Sequence, residues 1–266
     1  MKLFRKISQE GFVAPIKRRL GWYKVRLQVE NRTVGRLVEL FGNRVRMDGL
    51  RYSVDCPLIS TPRKSTLYFG LHEMDERALV KSWIDGRFAV VEFGGGLGVV
   101  SCLTNRKLPP GTKHVVVEAI PMMIPLLERN RDLNGCTFTV INRALAYDQD
   151  WIALSVDPEF VGSSAVADVG AEDIKVPTIQ LGQILQDHGF GATVVVCDIE
   201  GLERELIRRE ILHETKVVGL LAEMHPAILG EEEVDRLLAE LVAAGFAVRG
   251  RVGDSVYMER GQSGGR

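Results

Sequence analysis

The sequence predicts an α/β protein: a mostly parallel sheet with helices on both faces, an antiparallel strand at its C-terminal end, and a small β-rich appendage in front. Three observations carry this expectation. From Phe88 onward, short apolar strands alternate with helical patterns. His114–Glu118 and Thr193–Cys197 are nearly continuous valine runs, as in strands buried on both faces of a parallel sheet. The segments Phe246–Val252 and Ser255–Glu259 flank a Gly253-Asp254 turn and read as a hairpin, which requires antiparallel pairing.

In chain order, residues 1–26 come first, and they are basic. Lys2, Arg5, Lys6, Lys17, Arg18, Arg19, Lys24 and Arg26 face a single acid, Glu10. Interleaved apolar residues leave two readings: an amphipathic helix lying on a membrane surface, or a solvated helix packed on the body. No apolar core of secretory type is present. Leu37–Phe41, Arg44–Met47 and Leu50–Val54 read as short strands, the last two joined by an Asp48-Gly49 hairpin turn. Thr61–Ser65 reads as a loop and Glu73–Ile84 as a helix. The appendage is therefore placed at 1–85, as a region for acceptor or partner contact, the body at 86–262 and a frayed tail at 263–266. Within the body, strands are expected at Phe88–Phe93, His114–Glu118, Thr137–Ile141, Trp151–Val156, Thr193–Cys197 and Val217–Ala222. Helices are expected at Leu97–Asn105, Met122–Leu133, Ile179–Asp187, Leu202–Glu210 and Glu231–Ala244.

Composition excludes several classes of function. Lys and Arg total 34 against 35 Asp and Glu, which argues against bulk electrostatic binding of nucleic acid. No apolar run reaches the roughly 18 residues of a membrane span. Cys56, Cys102, Cys136 and Cys197 are scattered, as expected of reduced thiols in a cytoplasmic protein. Peripheral contact with the inner membrane face through residues 1–26 stays open. The oligomeric state cannot be read from the sequence.

The central motif is Glu92-Phe-Gly94-Gly-Gly96-Leu-Gly98, between a strand and a helix. Glycines there allow a tight turn and a close approach of backbone to ligand. Glu118 ends the next strand, where a carboxylate can accept hydrogen bonds from both hydroxyls of a ribose. A dinucleotide fingerprint requires GxGxxG, and position 99 is Val99. The glycines are instead spaced two apart behind an acid. That is the pattern of S-adenosylmethionine (SAM) methyltransferases, in which Glu92 would help position the cationic methionine end. A ligand-free glycine turn is the competing reading.

The chain also resembles the FkbM-type SAM-dependent methyltransferases from about Tyr68 to Val248. The resemblance rests on Tyr68–Glu76, Val90–Gly98, Val115–Pro121, Asn130–Gly135, Asn142-Arg-Ala-Leu145, Cys197-Asp198-Ile-Glu-Gly-Leu-Glu203 and Glu223-Met-His225-Pro226. Glu92, Gly96 and Cys197 depart from the family's usual Asp, Asn and Lys. The resemblance implies a Rossmann-like SAM-methyltransferase fold and O-methylation of a hydroxyl on a sugar, glycolipid or secondary metabolite, with S-adenosyl-L-homocysteine as product. It implies a cofactor site of Glu73, Glu92, Gly94, Gly96, Gly98, Glu118, Asn142, Arg143 and Asp198. The alternatives are a catalytically inactive SAM-binding module in a glycan-assembly complex, or N- or C-methylation.

A neutral alcohol must lose a proton as it attacks, so a base is needed. Asp198, Glu223 and His225 stand at the expected strand ends and are the catalytic candidates. His225 has an ordinary pKa of about 6.5, suited to accepting a proton. A strand-end histidine merely hydrogen-bonded before Pro226 is its competing reading, and a helix N-cap is that of Asp198. Asp198, Glu223 and His225 could hold Mg²⁺ or Mn²⁺, but the spacing does not require it and no metal is predicted. His72, His114, His188 and His213 read mostly as surface residues. Glu203, Glu205, Arg208 and Arg209 read as a solvated helix face. Trp22, Tyr23, Tyr52 and Tyr68 could form a carbohydrate-stacking wall, with packing the simpler role for each. The acceptor, a small molecule or glycan, is expected to meet residues 1–85 and Asp157–Pro177.

Overall fold

The computed structural model describes residues 30–154 and 174–261. The basic segment 1–26, residues 157–173 and the tail 263–266 lie outside the described residues, as do Trp22 and Tyr23.

The described residues begin with helix α1 (Arg32–Leu40), where a strand was expected over Leu37–Phe41. Asn31 caps it, its side chain accepting hydrogen bonds from the Thr33 and Val34 amides. Val34 and Val38 recur at helical spacing, and this outweighs the β-propensity of the run. Strands β1 (Arg44–Met47) and β2 (Leu50–Ser53) form the expected hairpin, with Met47 opposite Leu50. Thr61–Ser65, expected as a loop, begins α2 (Thr61–Tyr68), capped by Ser60 with Pro62 in its first turn. Helix α3 follows (Met74–Trp83).

The body continues with β3 (Ala89–Phe93), α4 (Val99–Lys107), β4 (His114–Glu118), a 3₁₀ turn at Pro121–Met123, α5 (Ile124–Leu133) and β5 (Thr139–Asn142). Next come the short strands β6 (Ala144–Leu145), β7 (Trp151–Leu154) and β8 (Ile174–Ile179), then α6 (Leu181–Asp187) and β9 (Thr193–Cys197). Ile179, expected in a helix, thus ends a strand. Helix α7 (Glu203–Leu206) runs into a π-type turn at Ile207–Ile211. It leads to β10 (Val217–Glu223), α8 (Pro226–Leu229), α9 (Glu231–Ala243), β11 (Phe246–Val252) and β12 (Ser255–Arg260).

Seven strands form the main sheet in the order β11-β12-β10-β9-β3-β4-β5. The pairs from β10 to β5 are parallel; β12 runs antiparallel to both β10 and β11. The valine strands alternate between two cores. Val91, Val115, Val117 and Val195 face the core shared with α6 and α9. Val90, Val116, Val194 and Val196 face the opposite side, toward α3, α4 and α5. β6, β7 and β8 form a separate three-stranded sheet.

The region before residue 86 shares this second core. Tyr52 and Val54 pack in one cluster with Leu97, Val99, Met123 and Leu127. Tyr52 is buried there, so it does not contribute to a stacking wall, whereas Tyr68 is exposed. Asn130 of α5 and Asn134, which caps its C-terminal end, fasten the hairpin. Asn130 accepts from the Ser53 amide (2.7 Å) and donates to the Ser53 and Leu97 carbonyls, and Asn134 brackets the Arg51 backbone. Among the described residues before 86, three helices accompany the two strands of the hairpin.

Candidate functional site

The carboxyl ends of β3, β4, β5, β9 and β10 share one edge, since these strands are mutually parallel. The chain reverses its direction of travel across the sheet between β3 and β9. That is the switch point at which open α/β sheets bind ligands.

The glycine loop leaves β3 at this point. The Gly94 and Gly95 amides both donate to the Val117 carbonyl, at 2.9 and 3.2 Å. Gly94 has φ +91°, and a Cβ on it would lie 1.9 Å from the Asp198 carbonyl oxygen. Gly95 is equally constrained, since its Cβ would meet Val116 Cγ1 at 2.6 Å. Gly98 has φ +86° and precedes α4. Gly96 differs from its neighbours. It has φ +50°, and the nearest atom to a Cβ built there is Glu73 Oε1 at 3.9 Å. The loop therefore packs against protein at Gly94, Gly95 and Gly98 and opens at Gly96.

Two carboxylates flank that opening. Glu118 Oε2 accepts from the Gly96 amide and Oε1 from the Ile120 amide, both at 2.7 Å. Burial pushes the Glu118 carboxyl above the usual range, against these amides. Each oxygen retains a second lone pair. Glu73 sits at φ +49° before α3, with Oε1 3.0 Å from His72 Nε2. Burial raises its carboxyl, but the His72 charge and hydrogen bond outweigh this and hold it below the ordinary value.

On the other side of the switch point is a cluster around His225. Its Nδ1 lies 2.9 Å from Glu203 Oε1, and its Nε2 lies 3.3 Å from Asp198, 3.7 Å from Glu200 and 3.7 Å from Glu223. Burial and the facing Glu223 charge push the Asp198 carboxyl well above its usual range, while His225 counteracts them. Burial, with Glu76 adding to it, raises Glu223 to about 7. For His225, burial disfavours the charged form, but the Glu203 hydrogen bond and the surrounding carboxylates raise it to about 10. The groups exchange protons as a set. Glu73, Glu200 and His225 all have positive φ at this edge, the kind of backbone strain that collects at functional sites.

The topology decides the architecture. The chain has the Rossmann-like methyltransferase fold. Its sequence matches no protein-family model and no curated protein. Among solved structures it is similar to a ribosomal protein L11 methylase from Lactobacillus delbrueckii subsp. bulgaricus (12% identity, 70% of this chain and 77% of that one, TM-score 0.42). It is also similar to an O-methyltransferase from Bacillus cereus in complex with SAH (14% identity, 69% and 78%, TM-score 0.44). A third is the tRNA (uracil-54, C5)-methyltransferase from Pyrococcus abyssi in complex with S-adenosyl-L-homocysteine (12% identity, 81% and 42%, TM-score 0.40).

The structure brings together Glu73, Gly94, Gly96, Gly98 and Glu118 at the loop, and Asp198, Glu223 and His225 beside it. Three expected residues fall elsewhere. Glu92 lies in the interior at 1% exposure, accepting from the Ser101 hydroxyl, with His114 Nε2 3.4 Å away. It faces helix α4 and so does not reach the open side of the loop. Asn142 donates to the Glu118 and Ala119 carbonyls and braces the end of β4. Arg143 is exposed and donates to the Thr178 carbonyl in the small sheet.

His72 and His114 are buried, not on the surface. Glu203, read from sequence as part of a solvated face, is fully buried. A periodicity signal existed: Glu203 shares a helical face with Leu206 and Ile207, both buried. Glu205 and Arg209 do form the expected i,i+4 pair, while Arg208 reaches across to Glu233 and Glu240. Glu76 is a further buried carboxylate, accepting from the Ser255 hydroxyl; it ends the Tyr68–Glu76 stretch but was not among the expected site residues. Among the described residues, Asp198, Glu203 and His225 could converge on a cation. The Glu203 oxygens, however, already accept from the Ile199 and Gly201 amides and from the imidazole.

Proposed function

We propose that the chain is a SAM-dependent methyltransferase of the FkbM type, methylating a hydroxyl on a sugar, glycolipid or secondary metabolite. One observation carries the reading. The glycine loop opens at Gly96 between Glu73 and Glu118, and Gly94 of the same loop packs directly on Asp198 of the His225 cluster. A ligand seated at the loop would therefore present its reactive end to a set of proton acceptors.

SAM, when bound, supplies a methyl group on a positively charged sulfur. The residues present suit it. Glu118 retains lone pairs for ribose hydroxyls beside its amide contacts. Glu73, Asp198 and Glu223 provide negative charge for a sulfonium and its amino group. Asp198, Glu223 and His225 face the acceptor hydroxyl and take its proton as its oxygen attacks. The chain's main contribution is to hold oxygen and methyl carbon in line at near-attack distance. In this reading the protein works in the cytoplasm on a small-molecule or glycan acceptor.

Titration calorimetry with SAM, and separately with NADH, tests the cofactor. Micromolar SAM binding without NADH binding is expected, and the reverse would end the proposal. Mass spectrometry of candidate glycans incubated with isotopically labelled methyl donor tests the acceptor. Label on nitrogen or carbon would replace O-methylation, and SAM binding without transfer to any acceptor would favour an inactive module.

A further inference from the structure

We propose that Glu203 is the positioning residue of this site: it fixes the tautomer and orientation of His225, so that Nε2 is the atom that exchanges protons with the acceptor. The inference rests on the methyl-transfer reading above.

The Glu203 carboxylate is fully buried and meets three donors. Oε1 accepts from the Ile199 amide at 3.0 Å and lies 2.9 Å from His225 Nδ1, while Oε2 accepts from the Gly201 amide at 2.8 Å. An ionised carboxylate can only accept, so the imidazole must carry a proton on Nδ1. Nε2 is then left facing Asp198 at 3.3 Å and Glu200 and Glu223 at 3.7 Å. These carboxylates sit at the ends of β9 and β10, and Glu203 closes the cluster from α7. The ring cannot readily escape by backbone rotation. His225 stands at φ +40° before Pro226, and its carbonyl accepts from the Ile228 and Leu229 amides.

The same carboxylate holds the turn that carries Asp198 and Glu200, a turn with φ +52° at Glu200 and +104° at Gly201. One side chain thus registers the end of β9 against the end of β10. The neutral imidazole, the minor form below its midpoint of about 10, is the form that acts: in the transfer step the acceptor hydroxyl proton would pass to its bare Nε2 while the oxygen bonds the methyl carbon. The carbon–sulfur electron pair stays on sulfur, and the positive charge moves to an imidazolium whose Nδ1 proton Glu203 already holds.

Long-range ¹⁵N–¹H NMR of the full-length, uniformly ¹⁵N-labelled protein between pH 6 and 11 tests this. The His225→Gln variant assigns His225 among the five histidines. In the wild type, His225 should show an Nδ1 proton protected from exchange and should keep it when neutral. Glu203→Gln, which keeps an acceptor oxygen but removes the charge, should lower the His225 midpoint by at least one pH unit. A wild-type His225 that is neutral with its proton on Nε2, or a midpoint unchanged in Glu203→Gln, would overturn the assignment. If Glu203→Gln does not fold, the wild-type tautomer decides alone. Calorimetry with SAM on the same samples separates the two claims. Absent SAM binding in the wild type removes the methyl-transfer reading, whatever tautomer is seen.

Discussion

Replacing Glu118 by Gln is the sharpest test of the loop, because it keeps shape and removes charge. The wild-type carboxylate accepts from two amides, Gly96 and Ile120, each at 2.7 Å. A glutamine oxygen can keep one of them. Its NH₂ group must then face the other amide, donor against donor. One charge-assisted hydrogen bond is lost, about 1.5–3 kcal/mol by typical values. The gain from no longer burying a charge offsets part of this, since burial already drives the Glu118 carboxyl upward. Net stability should therefore fall by only about 1 kcal/mol. Ligand binding should suffer more. Glutamine can accept a hydrogen bond from one ribose hydroxyl on the side where the carboxylate serves two, and the Gly96 amide is no longer held. A 10- to 100-fold loss of SAM affinity follows, about 1.4–2.8 kcal/mol. Titration calorimetry measures the affinity, with thermal unfolding in parallel. A folded variant whose affinity lies within twofold of wild type would refute the placement of the ribose.

Three other outcomes are expected. The folded-state pKa values of Glu223 (about 7, against 4.5) and His225 (about 10, against 6.5) are both raised, so each favours folding at low pH and loses that contribution as pH rises through its folded value. The melting temperature should therefore fall between pH 6 and 9, and Glu223→Gln should flatten the part below pH 7; a profile that rises across this range would contradict the cluster. Gly95→Ala should cost about 1–3 kcal/mol of stability, because its Cβ would meet Val116 and Leu127. Gly96→Ala should cost about 1 kcal/mol for its positive φ yet weaken SAM binding more, and equal effects of the two substitutions on affinity would mean the opening is misplaced. Glu92→Gln should lower the denaturant midpoint while leaving SAM affinity within about threefold, as befits a carboxylate enclosed with Ser101 and His114; a tenfold loss of affinity in a fully stable variant would restore it to the cofactor site.

Much of the body was legible in the sequence because its strands carry one unambiguous signal. The valine runs of β4 and β9 are too short for helices and too apolar for an exposed strand. The terminal hairpin announced its turn. Helix α1 was missed because Val34 and Val38 fit both periods over so short a stretch, and the decisive cap, Asn31, lies before it. Strand β8 was missed because Pro177 argues against a strand, although it is tolerated on this small sheet opposite Trp151. At the site, the glycine loop and the strand-end acids could be read, since they follow from local geometry. The destination of Glu92 could not, and for Glu203 the spacing with Leu206 and Ile207 signalled burial but not its partner. Each is an acid whose environment is set by a partner distant in sequence, His114 for one and His225 for the other.

The contact between Gly94 and Asp198 also determines how substitutions in this loop should be interpreted. Gly94 lies close enough to the Asp198 carbonyl that no side chain fits, and the Asp198 amide donates to the Phe93 carbonyl at 3.0 Å. The glycine loop and the Asp198 turn are therefore a single backbone junction. A substitution that lifts the loop also moves Asp198, and with it the oxygen facing His225 Nε2. Loss of turnover from a Gly94 variant would not by itself indicate weaker cofactor binding. In the proposed reading, Gly96, where an added Cβ would meet only Glu73 Oε1 at 3.9 Å, is the position where SAM affinity should change without disturbing the His225 cluster.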